Sequence, residues 1–259
     1  MKSFQILMSV MNQKDHEIIK KANIQSNAII INQAGNFKKE TFTHKGFAIQ
    51  FITFDERGVG LSRNNALMRA EAGIVLLSDQ SVVYEDNYTE AILAAFNDLP
   101  DADIILFNVP FEDHERRTYE ITKKHRVRRY NCLRYGAVRM AFKTEPIRKK
   151  GLYFSLLFGG GATYSSGEDS LFLYDSIKAG MRVYAVPITL GRVLSHESTW
   201  FEGYTDKFFV DKGAFFKNLS PIFYKFFIIQ LALRKRRTMG DGRDIKEMIN
   251  LMMRGANEF

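Results

Sequence analysis

The chain has 259 residues, of which 46% are hydrophobic and 13% aromatic, and this composition excludes a disordered protein. Its single cysteine, Cys132, excludes an intramolecular disulfide and a cysteine-rich metal cluster. The apolar segment 6–11 is too short for a signal peptide, and no stretch is long and uncharged enough for a transmembrane helix. These features predict a cytoplasmic protein, with peripheral contact to the inner face of a membrane as a further expectation.

The net charge of +8 is concentrated in two segments of the chain. Residues 123–150 contain eleven Lys or Arg and one acid, and residues 212–237 contain seven Lys or Arg and no acid. The rest of the chain is therefore acidic overall. A cluster of one sign favours an anionic partner, and the alternative for each segment is a solvated charged face.

The amino-terminal half alternates strand-like and helix-like patterns. Strands are predicted at 4–10, 28–32, 47–54, 73–78 and 103–109. Helices are predicted at 14–23, 61–72 and 84–99. Because parallel neighbours need crossover connections, this alternation predicts an α/β fold with a mostly parallel central sheet.

The second half begins with a charged segment, 111–150, that is less periodic. A glycine run at 159–161, a helix beginning at Glu168 and Asp169, a strand at 182–186 and a loop carrying His196 follow. The remainder is predicted to be helical, with Pro221 starting a new helix and the segment 240–242 separating the last two. We therefore predict an α/β domain over 1–205 and a helical extension over 206–259.

Gly167-Glu168-Asp169 places two adjacent carboxylates at a helix start. The exposed amides and the macrodipole of a helix N-terminus favour negative charge, which keeps a carboxylate ionised near neutral pH. This is a good position for a general base. The alternative is an ordinary helix start without chemistry, since Asp and Glu are common there.

Polar residues follow the predicted strands at the edge where ligands of open α/β sheets bind. Asn12, Gln13 and Asn32 carry amides that suit the edge of a nucleobase, and Arg57 in a glycine-bounded loop suits a diphosphate. The glycines around Val59 allow close approach of a ligand to the backbone. Strand ends are also polar simply because they are exposed.

Four of these segments, in this order, resemble family 2 glycosyltransferases of the GT-A fold. The counterparts are residues 9–13, 60–64, 75–81 and 167–169, so that the resemblance spans roughly the first 200 residues. It implies a GT-A-like α/β fold and transfer of a sugar, with inversion, from a nucleotide-sugar donor to an acceptor. By the same resemblance the donor is UDP-linked, the acceptor is a saccharide or a lipid-linked molecule, and the pathway is bacterial surface-polysaccharide assembly.

The resemblance also implies roles for individual residues. Asp169 is the expected base, with Glu168 as its neighbour or alternative. The expected donor-binding residues are Asn12, Gln13, Asn32, Arg57, Gly60, Arg63, Asn64 and Asp79.

A divalent metal, Mn²⁺ or Mg²⁺, is part of the same expectation, with Asp79 and His196 as candidate ligands. Ser81 stands where the family has a second acid. A neutral hydroxyl is a poorer ligand for a hard cation than a carboxylate. If no metal binds, Arg57, Arg63 or a residue of the basic segment 123–150 is expected to neutralise the diphosphate instead.

The two basic segments have separate interpretations. In a transferase, 123–150 lies where acceptor-contacting loops usually sit, which predicts that Arg126, Arg128 and Arg129 contact a phosphorylated or acidic acceptor. Residues 215–237 predict either an amphipathic helix on an anionic membrane or a helix packed on the core with a basic outer face.

Two other functions remain open. Ser81 motivates a non-catalytic relative that binds a nucleotide-sugar or a glycan. The charge of 123–150 motivates a nucleic-acid-binding protein, although the absence of an RRM, KH or zinc-finger pattern disfavours it.

Overall fold

The computed structural model describes residues 3–113, 119–194, 203–239 and 242–259. The strands are β1 (Phe4–Met11), β2 (Asn27–Gln33), β3 (Lys38–His44), β4 (Phe47–Phe54), β5 (Ile74–Asp79), β6 (Val82–Tyr84), β7 (Ile104–Asn108), β8 (His125–Val127), β9 (Met140–Lys143), β10 (Val183–Thr189) and β11 (Gly191–Val193). The helices are α1 (Glu17–Lys21), α2 (Val59–Arg69), α3 (Tyr88–Asp98), α4 (Thr144–Lys149), α5 (Glu168–Lys178), α6 (Asp206–Leu219), α7 (Tyr224–Met239) and α8 (Ile245–Glu258).

Nine strands form one twisted sheet in the order β3-β4-β2-β1-β5-β9-β7-β10-β8. Strands β1, β2, β4, β5, β7 and β10 run in one direction, and β3, β8 and β9 run in the other. The predicted α/β class with a mostly parallel sheet is therefore confirmed. Strands β6 and β11 pair separately as a short antiparallel ribbon.

The central strands are buried on both faces of the sheet. Along β1, Ile6 and Met8 enter the core on one face, while Leu7 enters the core on the other. The sequences of such strands are nearly continuous apolar runs, as in β7, in which every residue is buried. Their carboxyl ends form one edge of the sheet, and the loops at this edge carry most of the residues predicted to act on a ligand.

Three strands of the sheet, β3, β8 and β9, lie outside the predicted set. Strand β9 inserts between β5 and β7, antiparallel to both, within the segment that looks irregular in sequence. Its four residues are too few to show a period. Strand β3 is an edge strand with alternating exposure and a polar sequence. The helix predicted from Tyr84 begins at Tyr88 because Tyr84 ends β6.

Two cations of the basic segment 123–150 hold the fold together. Arg139 is 4% exposed and donates to the carbonyl oxygens of Phe107 and Tyr119, both at 2.7 Å, and to Oδ1 of Asn108 at 2.8 Å. Arg148 donates to carbonyl groups at the end of α2. Part of the positive charge in this segment therefore bonds to groups within the protein. These arginines do not require an anionic partner.

Helices α6, α7 and α8 pack around Phe209, Ile228 and Met252. Gly213 and Gly255 bring α6 and α8 into backbone contact, since a Cβ at either glycine would collide with the facing helix. A second apolar cluster, which includes residues of α5 and α6, ties this extension to the α/β core. Among the helices in the described part of the chain, none is long and apolar enough to cross a membrane.

Candidate functional site

A buried ion pair joins Arg63 on α2 to Glu168, the first residue of α5. Arg63 Nη1 lies 2.5 Å from Glu168 Oε1, and the two side chains are 7% and 10% exposed. The ring of Phe154 packs on the guanidinium at 5.5 Å. Because the interior stabilises neither charge alone, each of these two side chains depends on the other. The pair connects positions 105 residues apart in sequence.

Glycines allow the chain to close around Glu168. Gly159 has φ +111°, and a Cβ there would lie 2.8 Å from Glu168 Oε2 and 2.7 Å from Val59. Gly167 has φ +122°, and a Cβ there would lie 2.5 Å from the ring of Phe215. Side chains rarely adopt this backbone conformation, so glycine is required at both positions. Packing against Glu168 thus explains Gly159, the first residue of the glycine run.

Asp169 follows Glu168 and is partly exposed. Its Oδ1 accepts a hydrogen bond from the amide of Ser170 at 2.6 Å. Burial, with a smaller contribution from the adjacent Glu168 carboxylate, raises the pKa of Asp169 to about 6. The helix start alone predicted a carboxylate that is readily ionised, but desolvation outweighs it. A carboxylate with this pKa is mostly ionised at neutral pH and remains basic enough to accept a proton.

Lys212 reaches this cluster from α6 and is absent from the sequence-based predictions. Its Nζ donates to Ser166 Oγ at 3.2 Å and lies over the ring of Phe215 at 5.3 Å. Burial lowers the pKa of Lys212, and the carboxylates of Asp169, Glu168 and Asp211 oppose that effect. Lys212 in turn lowers the pKa of Asp169. No local motif marks this lysine, since it is one of several in an acid-free stretch.

In the predicted metal-binding turn, Ser81 donates hydrogen bonds to the carboxylate of Asp79. Asp79 Oδ1 accepts hydrogen bonds from the amide of Ser81 at 2.9 Å and from Ser81 Oγ at 2.5 Å. The described residues contain no group of three His, Cys, Asp or Glu side chains able to hold a metal ion. His196 lies outside the described residues. One carboxylate that is already bonded to a serine does not fit the oxygen-rich site that Mg²⁺ or Mn²⁺ requires.

A groove of about 490 Å³ opens at the carboxyl ends of β1, β2 and β4. Gln13, Lys14, Asn32 and Thr53 are among its lining residues. Its volume lies in the range of small-molecule sites, and its position is where open α/β sheets bind ligands. Gln80 stabilises the neighbouring loop, because its Oε1 accepts a hydrogen bond from the amide of Met11 at 2.9 Å.

Three predicted donor-binding residues, Asn32, Gly60 and Asn64, contact the backbone of neighbouring loops. Asn32 is 1% exposed, and it exchanges two hydrogen bonds of 3.0 Å with the backbone of Gln13. Asn64 similarly bonds both backbone groups of Phe154, at 2.9 and 2.8 Å. Gly60 packs closely against the carbonyl oxygen of Ser155. Asn64 and Gly60 hold loops of the site, whereas Asn32 both holds the loop of Gln13 and lines the groove. Their contact with a donor stays a prediction.

Other predicted donor-binding residues lie on the surface of the same edge. Asn12 is exposed and adopts a left-handed backbone with φ +51°. Arg57 is exposed in the loop before α2, and Gln13 lines the groove. The structure therefore brings Asn12, Gln13 and Arg57 to the carboxyl edge of the sheet, whereas Arg63 forms an ion pair with Glu168.

The strand register directs Arg128 and Arg129 away from the groove, and the acceptor contact of Arg126, Arg128 and Arg129 stays a prediction. Val127 of β8 pairs with Val183, the first residue of β10. Arg128 and Arg129 therefore follow at the edge where β10 begins, opposite the edge that carries the groove. Arg126 pairs with Tyr184 and stacks over its ring at 5.5 Å. The sequence did not reveal that β8 runs antiparallel to its neighbour, and this direction sets the side on which the arginines emerge.

We expect Arg63→Met to destabilise the protein by about 3 to 5 kcal/mol, since it leaves Glu168 buried without a counter-ion. Chemical denaturation measures this change in the free energy of unfolding. Arg69→Met is the matched control on the same helix, because the hydrogen bonds of Arg69 go to neutral groups of Asn65 and its guanidinium lies over the ring of Phe54. Equal losses for the two variants would contradict the importance of the buried pair.

Comparison with known proteins supports the fold. No protein-family model and no curated sequence matches this chain. Its structure is similar to that of S. aureus TarS residues 1–349 in complex with UDP-GlcNAc, with TM-score 0.64, 13% identity and coverage of 99% of this chain and 92% of that one.

The structure is also similar to that of the mannosyltransferase PcManGT from Pyrobaculum calidifontis in complex with GDP-Man and Mn²⁺. That match has TM-score 0.51 and 14% identity, and it covers 98% of this chain and 69% of the other. At such identities the likeness shows the fold. The predicted glycosyltransferase-type α/β fold is confirmed, and membership of family 2 stays a prediction.

Proposed function

We propose that this chain is an inverting glycosyltransferase that uses a nucleotide-sugar donor. The observation that carries the proposal is Asp169, a partly exposed carboxylate with a pKa of about 6 that is next to the buried Arg63–Glu168 pair. A general base with a pKa near neutral suits the deprotonation of an acceptor hydroxyl. The shared fold with proteins bound to UDP-GlcNAc and GDP-Man supports the same assignment.

Asp169 would act in a single displacement. Its carboxylate takes the proton of the acceptor hydroxyl while the hydroxyl oxygen forms a bond to the anomeric carbon of the donor sugar. The bond from that carbon to the diphosphate breaks in the same step, and the nucleoside diphosphate leaves with the electron pair. Since Oδ1 of Asp169 accepts a hydrogen bond from the amide of Ser170, we assign the proton transfer to Oδ2.

The groove beside β1 and β2 is the proposed donor site. We assign the contacts with the nucleoside to Gln13, which lines the groove, and to the exposed Asn12, and Asn32 holds their loop in position. Lys14, which lines the groove, and the exposed Arg57 are the cations we assign to the diphosphate. A UDP-linked donor, a saccharide or lipid-linked acceptor and a role in surface-polysaccharide assembly rest on the sequence resemblance.

A non-catalytic relative that binds a nucleotide-sugar is the second candidate. The hydrogen bonds from Ser81 to Asp79 favour it, because they occupy the carboxylate that would otherwise be available to a metal. The two candidates differ in turnover and agree in donor binding. An assay that measures both quantities therefore separates them.

We expect Asp169→Asn to lower turnover by about 10² to 10⁴-fold, because an amide cannot accept the proton. The assay uses UDP-, GDP-, CMP- and dTDP-sugars and measures donor hydrolysis and transfer. Donor binding, read from the ligand-induced shift in melting temperature, should match that of the wild type. Asp175→Asn, on the exposed side of the same helix, is the control and should retain activity.

Two results would count against these assignments. Full turnover by Asp169→Asn would remove Asp169 as the base. Failure of every nucleotide-sugar to stabilise the wild-type protein would refute the donor site itself, and donor binding without wild-type turnover would favour the non-catalytic candidate.

The metal requirement can be tested at Ser81. We expect wild-type turnover to persist in EDTA, because Asp79 and Ser81 supply one carboxylate and a hydroxyl. Ser81→Asp should strengthen Mn²⁺ binding about tenfold or more by adding a second carboxylate. Calorimetric titration with Mn²⁺ measures this effect, and Ser81→Asn is the neutral control of similar size. Loss of wild-type turnover in EDTA, or equal Mn²⁺ binding by the two variants, would contradict the prediction.

A further inference from the structure

Helix α7 and the turn before it carry a row of exposed apolar side chains. Phe226, Ile229 and Leu233 are 61%, 47% and 62% exposed. At about 100° per residue, these three fall within a sector of about 60° of the helix. Ile222 and Phe223, on the preceding turn, are 82% and 62% exposed. The row is therefore a continuous apolar stripe, which we call the α7 stripe.

The α7 stripe faces away from the helix's own packing surface. Tyr224, Ile228 and Ala232 are the buried residues of α7, and they belong to the apolar cluster formed with α6 and α8. On the helical wheel the buried residues centre about 130° away from the stripe. This arrangement corrects the simpler alternative of a helix packed on the core with a basic outer face, since the centre of the outer face is apolar.

Cations flank the α7 stripe on both sides. On the wheel, Lys225 and Arg236 border one side, and Arg234 and Arg237 border the other. No acid occurs anywhere in α7. Nearby carboxylates on α6 are paired elsewhere, Asp206 with Arg243 and Asp211 with Lys207.

The apolar centre and the cationic borders of the α7 stripe indicate which kind of surface it would bind. Apolar rings in the middle with cations at both borders match the acyl boundary and the anionic headgroups of a lipid surface. A second copy of this chain docking through the same face would bring cations against cations, which disfavours a symmetric dimer.

We propose that the α7 stripe docks on an anionic membrane, with Phe226, Ile229 and Leu233 inserted at the headgroup level. The helix lies in the plane of the surface and does not cross it. The proposal rests on the surface of α7 and is independent of the transferase activity proposed above.

Vesicle sedimentation with the full chain tests the proposal. We expect binding to vesicles of phosphatidylcholine and phosphatidylglycerol, and little binding to phosphatidylcholine alone. Affinity should fall about tenfold or more between about 0.05 M and about 0.5 M NaCl, because salt screens the cations. The double variant Phe226→Ser with Leu233→Ser should lose vesicle binding at every NaCl concentration, since it removes the inserted ring of Phe226 and the inserted side chain of Leu233.

A matched control removes exposed apolar groups elsewhere. Met68→Ser with Tyr153→Ser changes side chains that are 69% and 70% exposed outside α7, and it should leave vesicle binding unchanged. Circular dichroism and the melting temperature should be unaltered in both double variants, because the substituted side chains are exposed. The melting-temperature shift with nucleotide-sugars should also be unaltered, which separates this test from that of the donor site.

Three results would overturn the proposal. One is the absence of binding to phosphatidylglycerol vesicles by the wild type. Another is equal loss of binding in the stripe and control variants. The third is a concentration-dependent dimer that Phe226→Ser with Leu233→Ser abolishes, without vesicle binding, since this would assign the stripe to a second copy of the chain.

Discussion

The buried ion pair between Arg63 and Glu168 determines how the site is assembled. Removing two charges from water is unfavourable unless they meet each other, so α2 and α5 are constrained to approach where these side chains touch. Gly159 and Gly167 permit that approach, since side chains there would collide with Glu168 and Phe215. The base candidate is the next residue along α5, and its position follows from the same constraint.

The helical extension takes part in this site as well. Lys212 of α6 interacts electrostatically with the carboxylates of Glu168 and Asp169, and Asp211 accepts a hydrogen bond from the amide of Ser165 at 2.9 Å. Phe215 packs against Gly167. The protonation of Asp169 therefore depends on five contributions: burial and Glu168 raise its pKa, and Arg63, the amide of Ser170 and Lys212 lower it.

Sequence patterns predicted most strands and helices of the core, because buried strands and amphipathic helices have distinct periods, but the four-residue β9 is too short to show one. They also located the start of α5 and its carboxylates. They could not reveal that Arg63 pairs with Glu168, since a contact across 105 residues leaves no local signature. The direction of β8, which moves Arg128 to the far edge, and the burial of Asp169 were hidden for the same reason: both depend on neighbours distant in sequence.

The central claim is that the packed charge cluster prepares Asp169 to act as a base. Titration of the Asp169 carboxyl carbon by ¹³C NMR tests this directly, with Asp169→Asn identifying its resonance. The account predicts a pKa of about 6 in the wild type, and a higher value in Lys212→Met, because Lys212 lowers it. Lys217→Met, on the same helix, is the control for a lost charge. A pKa near the ordinary 3.8 that is insensitive to Lys212 would contradict the account.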